Sequence, residues 1–189
     1  MPILSVDHIL DSVLIDEEAL QARIRELGRQ ISADYEGRNK LLLVGILKGS
    51  IMFMTDLSRQ ISVPHMIDFM DISSYGSGAR ESTKEVRVLM DLHQPIKDHH
   101  VLLVEDIVDS GRTLKTVLES LSVRQPASLK VCALLDKTER REVEIPVDYV
   151  GFPIPDKFVF GYGLDLDQYY RNLPFIGVVR HDVFLTAED

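Results

Sequence analysis

Apolar residues along this chain fall in short blocks, separated by stretches whose apolar positions recur every three or four residues. Asp16 opens the first such stretch, which sets Leu20, Ile24, Leu27 and Ile31 on one helical face and ends near Gly37. The unbroken run LLLVGIL at 41–47 predicts an interior parallel strand. Lys48, Gly49 and Ser50 then turn into a second helix, with Met52, Phe53 and Leu57 predicted to face inward. Strands are predicted at 65–72, 86–90, 101–104 and 129–135, with a helix carrying Leu114, Val117, Leu118 and Leu121 between the last two. Shorter candidates lie at 149–152, 158–160 and 175–179. Strands alternating with helices predict a single α/β domain over residues 1–189, a mostly parallel sheet with helices on both faces. Ligands of such sheets collect at the carboxyl ends of strands. The polar stretch 73–85 is the one long loop, a length that in a compact domain marks disorder or function.

Composition narrows the partners. The net charge of −9, with no block of consecutive Lys or Arg, argues against a nucleic-acid surface. No apolar stretch approaches the ~20 residues of a membrane span, and the N-terminus lacks the basic start of a signal peptide. The single cysteine, Cys132, sits in an apolar run and reads as a core residue of a cytosolic protein. A cytoplasmic protein with no membrane and no nucleic-acid partner is therefore expected.

The chemistry concentrates in VLLVEDIVDSGRTL at 101–114. A short strand ends on two acids, Glu105 and Asp106, and a small polar loop, Asp109 to Thr113, opens a helix. Unpaired first-turn N–H groups and the partial positive charge of a helix start bind anions. Ser110 and Thr113 add hydroxyls, and Gly111 lets the backbone approach a phosphate. The acids would repel that phosphate, so they need sugar hydroxyls or a divalent cation as partners. A ribose 5-phosphate fits both halves; a simple helix-capping turn with exposed acids is the plainer alternative.

This run resembles the ribose-phosphate signature of the type I phosphoribosyltransferases, and four further segments resemble their hypoxanthine-guanine branch. Leu47-Lys48-Gly49-Ser50 is similar to that family's pyrophosphate turn, Ser73-Ser74-Tyr75-Gly76 to the start of its mobile loop, and Lys137 to the lysine that reads the purine 6-oxo group. Asp156-Lys157-Phe158-Val159, Gly161-Tyr162, Leu164-Asp165 and Tyr170-Arg171 resemble the purine and pyrophosphate end of the site. The resemblance implies the type I fold, with a small hood for the base. It implies a purine-salvage transferase joining hypoxanthine, guanine or xanthine to 5-phosphoribosyl-1-pyrophosphate, releasing pyrophosphate.

The resemblance also implies the roles. Asp109 is the acid/base at purine N7; Glu105 and Asp106 hold the ribose hydroxyls; Ser110, Gly111, Arg112 and Thr113 take the 5′-phosphate. Lys48, Gly49 and Arg171 grip pyrophosphate; Ser74 and Tyr75 belong to the mobile loop; Lys137, Phe158, Val159 and Asp165 bind the purine. Mg²⁺ is implied as cofactor, near Glu105, Asp106 and Asp165, and a homodimer or homotetramer as the assembly. A cis peptide at Leu47–Lys48 is implied as well. The donor-only Lys137 ammonium favours a 6-oxo over a 6-amino purine, and Phe158 offers a stacking face. Outside the site, His93, His99 and His100 read as a solvated loop, not a metal site, and neither Gly-x-Gly pair (76–78, 161–163) opens a helix as a dinucleotide fold requires. The alternative from another class is a non-catalytic regulator on the same fold, sensing phosphoribosyl pyrophosphate and binding nucleic acid.

Overall fold

The computed structural model describes residues 6–74 and 86–182. In chain order they form β1 (Leu10–Ile15), α1 (Glu17–Asp34), β2 (Leu41–Leu47), α2 (Ile51–Gln60), β3 (His65–Ser74), β4 (Val86–Met90), β5 (His100–Val108), α3 (Arg112–Ser122), β6 (Ser128–Asp136), β7 (Tyr149–Pro153), β8 (Val159–Phe160) and β9 (Ile176–Val179). Two sheets result: a six-stranded one ordered β4-β3-β2-β5-β6-β7, and a three-stranded one ordered β1-β9-β8. The larger is parallel except for β4, which runs antiparallel to β3. The smaller is antiparallel and forms the hood.

Strand alternation decides which helix covers which face. Leu41 and Leu43 of β2, with Leu102 and Val104 of β5, bury against Leu20, Ile24, Leu27 and Leu57 of α1 and α2. Leu42, Val44, Leu103 and Val131 point the other way, onto Leu114, Val117 and Leu121 of α3. The Asp16 carboxylate accepts from the Ala19 N–H at 2.8 Å, and Glu17 and Glu18 complement the positive end of α1. Cys132 is fully buried, and burial pushes its thiol up. Among the described residues no helix is long and apolar enough to cross a membrane.

Several expectations shift. β5 runs to Val108, past the four apolar residues, because β6 pairs beside it, Glu105 opposite Ala133 and Val108 opposite Asp136. The acids thus lie within the strand, not in the loop after it. Met52 is 37% exposed; Met54 takes the inward position beside Phe53 and Leu57. His100 is a strand residue, its Nδ1 2.7 Å from Ser128 Oγ, and His93 Nδ1 lies 3.1 Å from Asp68 Oδ1. Only His100 departs from the expected solvated loop: the His93 side chain is 74% exposed, and His99 Nδ1 faces the Lys97 carbonyl. β1 has no counterpart in the sequence reading: its interior is exposed, and its partner β9 lies at the far end of the chain.

Candidate active site

The carboxyl ends of β2, β5 and β6 meet the hood, and most of the expected residues gather there in two cavities and a side-chain cluster. The first is a small cavity of about 120 Å³, bordered by Glu105, Ile107, Val108, Asp109, Ser110, Gly111, Thr113 and Leu114. Gly111 caps α3 at φ +82°, a left-handed conformation that favours glycine, and the chain thereby folds back over the helix start. Ser110, Gly111 and Thr113 border the cavity; the Arg112 side chain turns away and pairs with Glu142.

Strand alternation sends the two acids to different places. Glu105 borders the small cavity, whereas Asp106 leans over the turn after β2. A Cβ on Gly49 would lie 1.6 Å from Asp106 Oδ2, so only glycine fits beneath that carboxylate. The Leu47–Lys48 peptide is cis, with Lys48 exposed and Gly49 buried. Gly163 at φ +99° rests on the same turn, where a Cβ would lie 2.1 Å from the Gly49 carbonyl oxygen. Arg171 Nη1 donates to the Gly163 carbonyl at 2.7 Å, and Nη2 meets Asp165 Oδ1 at 2.7 Å. Lys48, Gly49, Asp106, Asp165 and Arg171 therefore form one cluster.

Burial and the charge of Asp106 push the Glu105 carboxyl well above the usual range. Burial likewise raises Asp106 to about 6, against its own N–H, that of Ile107 and the Arg171 charge, with Asp165 adding to the rise. Two acids held this way favour a ligand that brings cationic charge or hydroxyl donors. Among the described residues no three His, Cys, Asp or Glu side chains enclose a metal site. The hard carboxylate oxygens of Glu105, Asp106 and Asp165 are the donor type that Mg²⁺ takes, one or two at a time beside waters and substrate oxygens.

The second place is a cavity of about 490 Å³ under the hood, lined by Asp11, Lys137, Arg140, Asp156, Lys157, Phe158, Val178, Val179 and His181. Lys137 is only 6% exposed, which a solvated loop lysine would not be, and its Nζ lies 3.4 Å from Asp156 Oδ1. Phe158 is 45% exposed and lines the cavity, so it is not spent on the core. Asp109 links the two cavities: it borders the smaller, and its Oδ1 lies 3.3 Å from Nε of Arg140, which lines the larger.

The structure brings other expected residues together less fully. Val159 is a buried β8 residue whose side chain joins the core. The Asp165 side chain accepts from the Gln168 N–H and pairs with Arg171, and is not part of the larger cavity's lining. Ser74 ends β3, opposite Val86, and Tyr75 lies outside the described residues. Sequence reasoning missed Asp11, Arg140 and His181. Asp11 and His181 meet only because β1 and β9 pair in the hood, and Arg140 sits on a short 3-10 turn, Thr138–Arg140.

A glycine-bearing loop at a helix start, beside a buried and a half-buried acid and linked through Asp109 and Arg140 to a lysine- and aromatic-lined cavity, fits a class of protein that takes a phosphorylated sugar and a flat base. A family model described as the phosphoribosyl transferase domain matches residues 13–167. A hypoxanthine phosphoribosyltransferase of Salmonella typhimurium is 54% identical over 168 residues, 88% of this chain and 94% of that protein. A crystal structure of a hypoxanthine phosphoribosyltransferase from Staphylococcus aureus superposes with a TM-score of 0.90 at 49% identity, covering 96% of this chain and 98% of that one. A Trypanosoma cruzi hypoxanthine phosphoribosyl transferase, studied for the role of its C-terminal region in oligomeric state and activity, gives a TM-score of 0.89 at 43% identity, covering 95% and 96%. The chain belongs to the phosphoribosyl transferase family, on its hypoxanthine phosphoribosyltransferase branch.

Proposed function

We propose that this chain is a single-domain, cytoplasmic enzyme of purine salvage, transferring the phosphoribosyl group of 5-phosphoribosyl-1-pyrophosphate to hypoxanthine, guanine or xanthine. The observation that carries the reading is the contact between the two linings: Asp109 borders the small cavity and pairs with Arg140, which lines the larger. The 5′-phosphate sits on the Ser110–Thr113 loop and the base under the hood, so the anomeric carbon falls at the join, beside Asp109.

In the reaction the bond from C1 to the pyrophosphate oxygen breaks as purine N9 bonds to C1. Positive charge builds on the ribose, as at any glycosidic centre. The Asp109 carboxylate takes the proton from purine N7, a contribution of about 10²–10⁴ in rate for a well-placed base. Lys137, held in place by Asp156, donates to the 6-oxo group, which a 6-amino group could not accept. Phe158 stacks on the ring. The Lys48–Gly49 turn and Arg171 receive the departing pyrophosphate, the planar guanidinium fork suiting an anion of that shape. Glu105 and Asp106 hold the ribose hydroxyls and would reach Mg²⁺ through water, and Asp165 is the carboxylate that would sit near a second Mg²⁺; when bound, the metal would neutralise the leaving group. Assembly into a homodimer or homotetramer belongs to the same reading. Among the described residues no basic stripe favours the nucleic-acid-binding regulator, and the chain's charge of −9 opposes it.

Initial rates with phosphoribosyl pyrophosphate and Mg²⁺ against hypoxanthine, guanine, xanthine and adenine test the proposal, with EDTA as control. Metal-dependent nucleotide formation from 6-oxopurines and not from adenine is expected. Absence of turnover with every base contradicts the proposal.

A further inference from the structure

The segment following β6 carries a buried ion pair that the catalytic reading leaves unused. Asp136, the last residue of β6, pairs with Arg141 Nη2, and their side chains are only 10% and 17% exposed. The other terminal nitrogen, Arg141 Nη1, is buried with no hydrogen-bond partner among the described residues. It rests against Gly111, where a Cβ would lie 3.1 Å from Nη1 and 3.2 Å from Arg141 Cδ. The same segment grips the loop by its backbone. The N–H groups of Glu142 and Val143 both donate to the Ser110 carbonyl, at 3.0 and 3.3 Å, and Arg112 pairs with Glu142. Arg141 does not itself border the small cavity.

A buried ion pair is weak evidence for stability, since apolar residues of similar volume often replace one without loss. What a guanidinium fixed by a carboxylate supplies is a defined orientation, which a flexible apolar chain lacks. The loop it leans on must aim several backbone N–H groups at one anion, and small displacements there are costly. We propose that Arg141, oriented by Asp136, is a positioning residue that holds the Ser110–Thr113 loop in the shape that receives a sugar phosphate. It acts through Gly111 and never touches the ligand. The inference rests on the functional reading above.

The test titrates ribose 5-phosphate calorimetrically into the wild-type chain, R141M and R141K, with thermal unfolding and steady-state kinetics in parallel. R141M is expected to weaken ribose 5-phosphate and to raise the KM of phosphoribosyl pyrophosphate by about tenfold or more, as misplaced binding groups do. The hypoxanthine KM at saturating cosubstrate and kcat stay within about threefold, because the larger cavity is untouched. R141K keeps the charge that Asp136 needs but loses the fork, and weakens the sugar phosphate by a smaller factor. A cooperatively unfolding R141M with unchanged ribose 5-phosphate affinity overturns the proposal, as does an equal loss on the purine side. Should R141M fail to fold, unchanged affinity in R141K overturns it equally. A wild-type chain that binds no ribose 5-phosphate overturns the functional reading instead.

Discussion

At the scale of single residues, the site separates chemistry from recognition. Asp109 borders the smaller cavity and pairs with Arg140 of the larger, and Lys137 is buried in the larger one's lining. Asp109→Asn keeps the shape but cannot accept the proton. It is expected to lower kcat by about 10² or more, with a much smaller rise in the KM of phosphoribosyl pyrophosphate. Steady-state kinetics check this, and unchanged turnover removes Asp109 from the acid/base role. Lys137→Ala is expected to raise the hypoxanthine KM by about tenfold or more, the cost of losing a charged donor, and to narrow the preference over adenine. Unaltered base preference would undo the 6-oxo assignment. The anion-binding loop was legible in the sequence because its chemistry is local, a Gly-containing turn opening a helix after two acids within fourteen residues, whereas the roles of Asp109 and Lys137 came from the family resemblance. Asp11 and His181 were not legible, since only the pairing of β1 with β9 brings them to the larger cavity.

At the scale of elements, close approach decides what each position tolerates. α1 and α2 meet at Gly28, where a Cβ would lie 2.4 Å from Gln60 Cβ and 2.8 Å from its carbonyl oxygen. Alanine there gains up to ~1 kcal/mol of helix propensity but must push a backbone away, an overpacking cost of about 1–3 kcal/mol or more. Gly28→Ala is therefore expected to lower Tm, and a rise in Tm would contradict the packing described. The buried strands were legible for the same reason that they are buried: both faces are covered, so the runs are continuous. β5 exceeded its apolar run because the ladder with β6 continues beneath polar side chains. Hydrophobicity reports which positions are covered, whereas the strand end follows its partner's backbone. The exposed interior of β1 gives no such signal.

At the scale of the whole molecule, the site's acids set a pH dependence. Folding raises Asp106 from 3.8 to about 6 and Glu105 well above 4.5, so between pH 4 and 6 the folded chain holds more protons than the unfolded one. Stability in metal-free buffer then falls as pH rises through that window. A pKa displaced by one unit corresponds to about 1.4 kcal/mol, so the fall amounts to a few kcal/mol. Asp68 and Asp91 are lowered instead, by their hydrogen bonds with His93 and Arg124, and their stabilisation is lost only below the usual carboxylate range. Chemical denaturation at pH 5 and pH 7 checks the sign, and Asp106→Asn is expected to flatten the slope. Both effects follow from the two acids near the carboxyl end of β5, Glu105 buried and Asp106 half-buried.

If the two cavities form one site, bridged by the Asp109–Arg140 pair, a ligand that reaches from one to the other must outbind its fragments. Calorimetric titration of the metal-free chain with inosine monophosphate, ribose 5-phosphate and hypoxanthine tests it most directly, because the nucleotide alone spans both cavities. Inosine monophosphate is expected to bind well beyond either fragment, with Lys137→Ala reducing it toward the ribose 5-phosphate value. Inosine monophosphate binding no tighter than ribose 5-phosphate would contradict it.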